Sequence, residues 1–291
     1  MQGIREEARL VRRRPGAPGT VVRLSGPRGS VELGGRAFVV MAGPCAVESA
    51  AQVEEAARAV AEAGCAVLRG GAFKPRTSPY AFQGLGGEGA RLLFDSAQRN
   101  GLAAVTEVME PGQLPALERA SLLQVGARNM QNYVLLQALS RLRRPVLLKR
   151  GPAATVDEWL LAAEYLLAGG NDQVVLCERG IRTFETATRN TLDLSAVALA
   201  KRSTHLPVIV DPSHAAGRPV LVLPLSLAAA AAGADGLLVE VHARPEEALC
   251  DGAQALRPRE LRELVDRLEP VLGSLGRVLW RPEGARRAAL L

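Results

Sequence analysis

Between residues 37 and 275, a short apolar run followed by an Ala/Leu-rich amphipathic stretch recurs eight times. The runs are AFVVMA (37–42), AVLRGG (66–71), AAVTEV (103–108), SLLQVGA (121–127), PVLLKR (145–150), QVVLCER (173–179), PVIVDP (207–212) and GLLVEV (236–241). They are near-continuously apolar, as expected of strands covered on both faces in a parallel sheet, and lack the alternation of a strand with one wet face. Helices are predicted near 51–63, 88–100, 113–120, 129–142, 155–168, 194–203, 225–232 and 258–274. Gly64, Gly101, Gly169 and Gly233 follow four of them, where a left-handed residue commonly ends a helix. Eight β–α units of this size predict an α/β fold, a closed (β/α)8 or TIM barrel. The competing architecture, a doubly wound open sheet, usually carries a Gly-rich phosphate turn after its first strand. Here that turn reads GPCAVES.

Three segments follow: an extension over 1–36, the barrel over 37–275 and a tail over 276–291. VVRLSGPRGSVELGG (21–35) reads as a hairpin with GPRG at its turn, placed to plug the barrel's N-terminal mouth. The extension is expected to be too short for a regulatory domain of its own. The N-terminus has no apolar signal core, and no run approaches the ~18 apolar residues of a membrane span. A cytoplasmic protein without membrane contact is expected. The four cysteines form no CxxC pair and are expected to be thiols. The net charge of +6 comes from scattered arginines without interleaved aromatics. That pattern argues against nucleic acid and suits small anionic substrates. Of 36 basic residues only Lys74, Lys149 and Lys201 are lysines. A chain that uses arginine elsewhere has a reason to keep a compact, titratable proton donor where it does.

Barrel enzymes place their chemistry at the C-terminal strand ends. Those ends carry Cys45 and Glu48; Arg69, Lys74, Arg76, Thr77 and Ser78; Glu107; Arg128 and Asn129; Lys149 and Arg150; Glu178, Arg179 and Arg182; Asp211, Ser213 and His214; Glu240 and His242, with Asp251 beyond. Any one of these arginines is most simply a solvated loop charge. Six cations (Arg69, Lys74, Arg76, Arg128, Lys149, Arg179) from four strand ends of one mouth call for phosphate and carboxylate ligands. Cys45, His214, Glu240 and Asp251 form a second set, from strands that adjoin when the barrel closes. A thiolate, an imidazole and two carboxylates suit Mn, Fe, Co or Zn better than Ca. On residue types alone, Cys45 also reads as an inert buried thiol, and His214 as a phosphate or acid–base group. Cys65, Cys177 and His205 read as structural and Cys250 as incidental.

The motifs AGPCAVES (42–49), LRGGAFKPRTSPYAFQGLG (68–86), VGARNMQNY (125–133), LLKRG (147–151), LCERGIRTFETATRNTLDL (176–194), PVIVDPSH (207–214), GADGLLVEVH (233–242) and DGAQAL (251–256) together resemble the 3-deoxy-D-arabino-heptulosonate 7-phosphate (DAHP) synthases. The similarity is to the subgroup related to 3-deoxy-manno-octulosonate 8-phosphate synthase. It implies metal-dependent condensation of phosphoenolpyruvate with erythrose 4-phosphate, the first step of the shikimate pathway. It also implies a divalent metal on Cys45, His214, Glu240 and Asp251, and phosphoenolpyruvate on Arg69, Lys74, Arg128, Lys149 and Arg179. The run 74–78 would take the aldose phosphate through Arg76 and Thr77, with Ser78 beside them. Lys74 is the candidate proton donor, and Glu107 the candidate to orient water. Octulosonate synthases typically carry Lys-Ala-Asn-Arg where this chain has Lys-Pro-Arg-Thr, which favours the four-carbon aldose over a pentose; a related synthase using a modified aldose phosphate is the alternative. By resemblance a homotetramer or homodimer is expected. The rival to catalysis is a barrel kept as a binding partner, for instance of a chorismate mutase, but every catalytic position is filled. One departure stands out: family members usually read DPSHGTGR, and this chain reads DPSHAAGR, with Ala215 and Ala216 beside the metal histidine.

Overall fold

The computed structural model describes residues 6–282. Its core is eight parallel strands: β3 (Ala37–Gly43), β4 (Val67–Arg69), β5 (Ala103–Glu107), β6 (Leu122–Val125), β7 (Val146–Lys149), β8 (Val174–Glu178), β9 (Val208–Val210) and β10 (Gly236–Glu240). Each pairs with the next. β10 returns to β3 in a register that sets Glu240 opposite Gly43, so the sheet is a closed barrel and not an open doubly wound one. All eight predicted strands are present.

Alternation along each strand separates two apolar populations. Phe38, Val40 and Ala42 of β3 face the helices, while Val39 and Met41 turn inward with Val67, Val105, Leu122, Leu147, Val175, Ile209 and Leu238. The helical layer comprises α1 (Ala50–Glu62), α2 (Gly86–Asn100), α3 (Tyr133–Ser140), α4 (Val156–Ala168), α5 (Leu194–Ser203), α6 (Pro212–Ala216), α7 (Pro219–Ala231) and α8 (Pro258–Ser274). None is long and apolar enough to cross a membrane.

Several local expectations change. The segment near 113–120 forms a 3-10 helix at Pro111–Leu117 in place of an α-helix, since Pro115 inside it has no N–H to donate. Gly64, Gly101 and Gly233 are left-handed as predicted, but after α4 that conformation falls on Gly170 (φ 97°), with Gly169 still right-handed. The short α6 was not foreseen; the Asp211 carboxylate caps it by accepting from the His214 N–H.

The hairpin forms as expected, β1 (Val22–Gly26) against β2 (Gly29–Leu33). Its inward side chains Val22, Leu24, Val31 and Leu33 are buried in the same cluster as the barrel interior. They close the N-terminal mouth. The tail contributes β11 (Val278–Leu279), parallel to the start of β3, and a buried Trp280 in that cluster. The predicted tail beyond 282 and the first five residues lie outside the described residues. Upstream of the hairpin, the Glu164 carboxylate accepts the N–H groups of Arg9, Leu10 and Val11, and His205 bonds Thr20 and the Leu10 carbonyl. His205 is thus a structural residue.

Candidate active site at the open mouth of the barrel

With one mouth sealed, the other holds a cavity of about 540 Å³. Arg69, Lys74, Arg76, Thr77, Ser78, Glu107, Arg128, Lys149, Arg179, His214 and Asp251, all predicted, line it. The cations divide by depth. Arg69, Lys74, Lys149 and Arg179 are buried, whereas Arg76 and Arg128 stand at the rim with Thr77 and Ser78. Arg128 donates to the Pro75 carbonyl at 3.2 Å and so ties one rim loop to the other. Glu107 ends β5, the strand between the two that carry these loops, and lies 3.2 Å from Gln124 Nε2. Gly126 leaves it that space, because a Cβ there would sit 2.0 Å from its Oε1.

Under this cavity the four proposed metal ligands meet. One donor atom from each of Cys45, His214, Glu240 and Asp251 lies within 4.8 Å of all the others. Cys45 follows β3, His214 sits on α6 after β9, Glu240 ends β10 and Asp251 lies in the loop beyond it. The β10–β3 closure therefore assembles the group. Asp251 holds a left-handed backbone (φ 54°), which aspartate tolerates better than most residues but which is still uncommon.

The protonation states fit a borderline divalent ion. Burial lowers the His214 pKa, against the pull of Asp211 and Glu240, which is the direction that favours a metal-binding imidazole. Its Nδ1 donates to Asp211 Oδ2 at 2.8 Å, which leaves the Nε2 lone pair facing Glu240 and Asp251. Burial works against the charge on Asp251, but Arg189 and His214 outweigh it and bring the carboxyl to about 2. Glu240 is likewise lowered despite burial, through His214 and through Arg69, whose Nη1 is 2.7 Å away. Burial opposes the Lys74 charge, yet the Cys45, Glu107 and Cys250 side chains raise its pKa, so the amine stays protonated. Its Nζ lies 3.1 Å from Cys45 Sγ. One soft donor, one imidazole and two carboxylates, with Arg69 and Lys74 offsetting the excess negative charge, are a coherent donor set for such an ion.

Three expectations need correction. Cys250, read as incidental, has its sulfur 3.3 Å from Cys45 Sγ and 2.7 Å from Arg76 Nη1. The Cys45 contact lowers the Cys250 thiol to about 7 in spite of burial, while the same contact and burial push Cys45 well up. Arg150 and Glu178 belong to the strand ends but not to the mouth. Neighbours along a strand point to opposite faces, so Lys149 and Arg179 face the cavity while Arg150 and Glu178 pair outside it at 2.9 Å. Glu48 and His242 also miss the cavity.

The residue reading overlooked Arg189, which lines the cavity, reaches Asp251 at 3.2 Å and donates to Gln254 Oε1 at 2.7 Å. Gln254 in turn donates to Glu240 at 2.6 Å. Both stand within the matched motifs, but neither occupies a strand end. The Ala215–Ala216 departure leaves this loop in place. Asn190 and Arg189 dock through main-chain N–H groups on the carbonyls of residues 215 and 216, and both alanine side chains are buried.

The thiol geometry carries a direct test. Diamide treatment of metal-free protein is expected to reduce the free thiols from four to two, by linking Cys45 to Cys250. Burial raises the thiol pKa of Cys65 to about 12 and also raises that of Cys177, so both resist oxidation. Four free thiols after treatment would contradict the juxtaposition.

A sequence profile of the DAHP synthetase I family matches residues 24–271. A phospho-2-dehydro-3-deoxyheptonate aldolase of Thermotoga maritima is 51% identical over 249 residues, 85% of this chain and 74% of that one. A 2-dehydro-3-deoxyphosphooctonate aldolase of Geobacter sulfurreducens is 30% identical over 265 residues, 84% of this chain and 96% of that one. Among solved structures, the DAHP synthase of Thermotoga maritima superposes with a TM-score of 0.89 at 48% identity, covering 93% of this chain and 78% of that one. A truncated form of the 3-deoxy-D-arabino-heptulosonate 7-phosphate synthase from the same organism gives 0.86 at 44% identity, over 94% of this chain and all of that one. The motifs, the closed barrel and these matches agree: the chain belongs to the DAHP synthetase I family.

Proposed function

We propose that the protein condenses phosphoenolpyruvate with erythrose 4-phosphate to give 3-deoxy-D-arabino-heptulosonate 7-phosphate and inorganic phosphate. The observation that carries this is a cavity lined by cations at two depths, set directly over a four-donor cluster. Two phosphorylated substrates repel one another, and a site that joins them must neutralise both.

Phosphoenolpyruvate is assigned to the deep cations Arg69, Lys74, Lys149 and Arg179, with Arg128 above and His214 beneath. The aldose phosphate is assigned to Arg76, Thr77 and Ser78. Cys45, His214, Glu240 and Asp251 would hold a divalent ion, with Mn, Fe, Co and Zn the candidates. When bound it supplies Lewis acidity toward the aldehyde oxygen. C3 of phosphoenolpyruvate attacks the aldehyde carbon, and Lys74 donates a proton to the oxygen that becomes negative there. Water adds at C2, oriented by Glu107, which Gln124 holds in place. Loss of phosphate then leaves the C2 ketone. The protein is read as a cytoplasmic homo-oligomer, with residues 37–275 as the catalytic unit.

Phosphate release assays with erythrose 4-phosphate and with arabinose 5-phosphate test the substrate. Turnover is expected with the first and none above background with the second. The rim carries Pro75 and Arg76 where octulosonate synthases carry Ala and Asn. The reverse preference would replace this reading with octulosonate synthesis.

A further inference from the structure

Asp251 and Cys250 reach the site on a long excursion. His242 N donates to the Leu256 carbonyl and Leu256 N to the Glu240 carbonyl, so the chain leaves the barrel at 242 and returns at 256. From 243 to 249 no residue of this excursion is buried, and Leu249 is 56% exposed. Apolar packing therefore does not hold residues 243–249, and burial resumes only at Cys250, which packs with Cys45 and Ala46. The ion pairs of Arg244 with Glu247 and of Arg257 with Glu246 are exposed, and such pairs contribute little. Nonetheless Asp251 must keep an uncommon left-handed backbone.

One carboxylate that the mechanism does not use grips this loop. Glu48, whose side chain is 9% exposed, accepts the Leu249 N–H at 2.9 Å, and the Leu249 and Cys250 N–H groups both offset the upward push of burial on its pKa. It is itself fixed at the start of α1, where its own N–H donates to Gln52 Oε1. At the other end of the loop, His242 Nδ1 accepts the Arg244 N–H at 3.1 Å, which puts the ring proton of a neutral imidazole on Nε2. Among the described residues that buried Nε2 has no hydrogen-bond partner, and Glu48 Oε2 lies 3.9 Å from it. A buried orphan donor is costly, and a small rotation of Glu48 would satisfy it.

We propose that Glu48, backed by His242, is a positioning residue that fixes the backbone of residues 249–251 and thereby presents Asp251 to the ion and sets Cys250 against Cys45. The inference rests on the metal reading above. Glu48 touches neither the cavity nor the four donors; it acts through the loop's main chain.

Cadmium titration of the metal-free full chain, followed at the ultraviolet cadmium–thiolate band, is the direct test. Glu48→Ala is expected to weaken cadmium about 10–100-fold, the usual cost of losing an outer-shell partner. Glu48→Asp, which keeps the charge but withdraws it by one methylene, weakens it too and guards against misfolding of the alanine variant. Glu48→Gln retains an acceptor for the Leu249 N–H and returns the affinity toward wild type. His242→Phe weakens binding, and His242→Asn, which keeps an acceptor near the Nδ1 position, restores part of it. Glu62→Ala, on the exposed end of the same helix, leaves it unchanged. At saturating manganese, kcat falls in Glu48→Ala while KM for phosphoenolpyruvate holds. Wild-type cadmium affinity in both Glu48→Ala and Glu48→Asp overturns the proposal. Absence of any cadmium–thiolate band in the wild type overturns the metal reading instead.

Discussion

Replacement of Cys45 by alanine is expected to abolish turnover and to weaken manganese binding by on the order of 10²-fold or more. Losing a direct ligand should cost at least as much as losing a partner behind it. The sulfur is the single soft donor among the four, and it is held by Lys74 and Cys250 at 3.1 and 3.3 Å. In the metal-free protein the Cys250 contact and burial keep Cys45 protonated. An ion must therefore displace that proton. Apparent affinity should accordingly tighten as pH rises through neutrality, with proton release visible by calorimetry in buffers of different ionisation enthalpy. Cys45→Ala should flatten that dependence as well as lower the affinity. Chelation of the wild type should reproduce the loss of turnover, and restored manganese should reverse it. Full activity in metal-free protein would defeat the assignment.

Lys74→Ala is expected to lower kcat by about 10²–10⁴-fold, the range for removing a positioned general acid. The amine is 7% exposed and stays protonated, as a proton donor must. The space around it is tight: a Cβ on Gly71 would lie 2.7 Å from Lys74 Cδ. Lys74→Arg should therefore fail to rescue, because a planar guanidinium is wider and does not give up its proton. Lys201 provides the contrast. It pairs with the buried Asp235 at 2.6 Å, at the opposite end of the barrel, so Lys201→Ala should affect melting temperature and spare kcat. Equal losses of kcat in the two variants would remove Lys74 from its role.

The strands and the four donors could be read in the sequence because both obey simple geometric rules. Continuous apolar runs mark buried parallel strands, and strand ends mark the mouth. Where a residue's role depends on direction rather than address, that reading fails. Lys149 and Arg150 are adjacent, yet one faces the cavity and the other an external carboxylate, and a list of strand ends cannot separate them. Arg189 and Gln254 act from loops whose paths are set by contacts with residues 215, 216 and 240. The Cys45–Cys250 approach joins positions 205 residues apart; only the closure of β10 on β3 brings them together. Pro115 and Gly170 were in plain view, but their effects on helix type and ending are local choices that periodicity does not resolve.

The hairpin and Trp280 have a kinetic consequence. A vessel stoppered at its base has one doorway, and two guests seated at different depths must pass through it in sequence. On the proposed assignment of the two seats, the guest of the inner one is expected to arrive first, and initial-rate kinetics of the ordered type would show it.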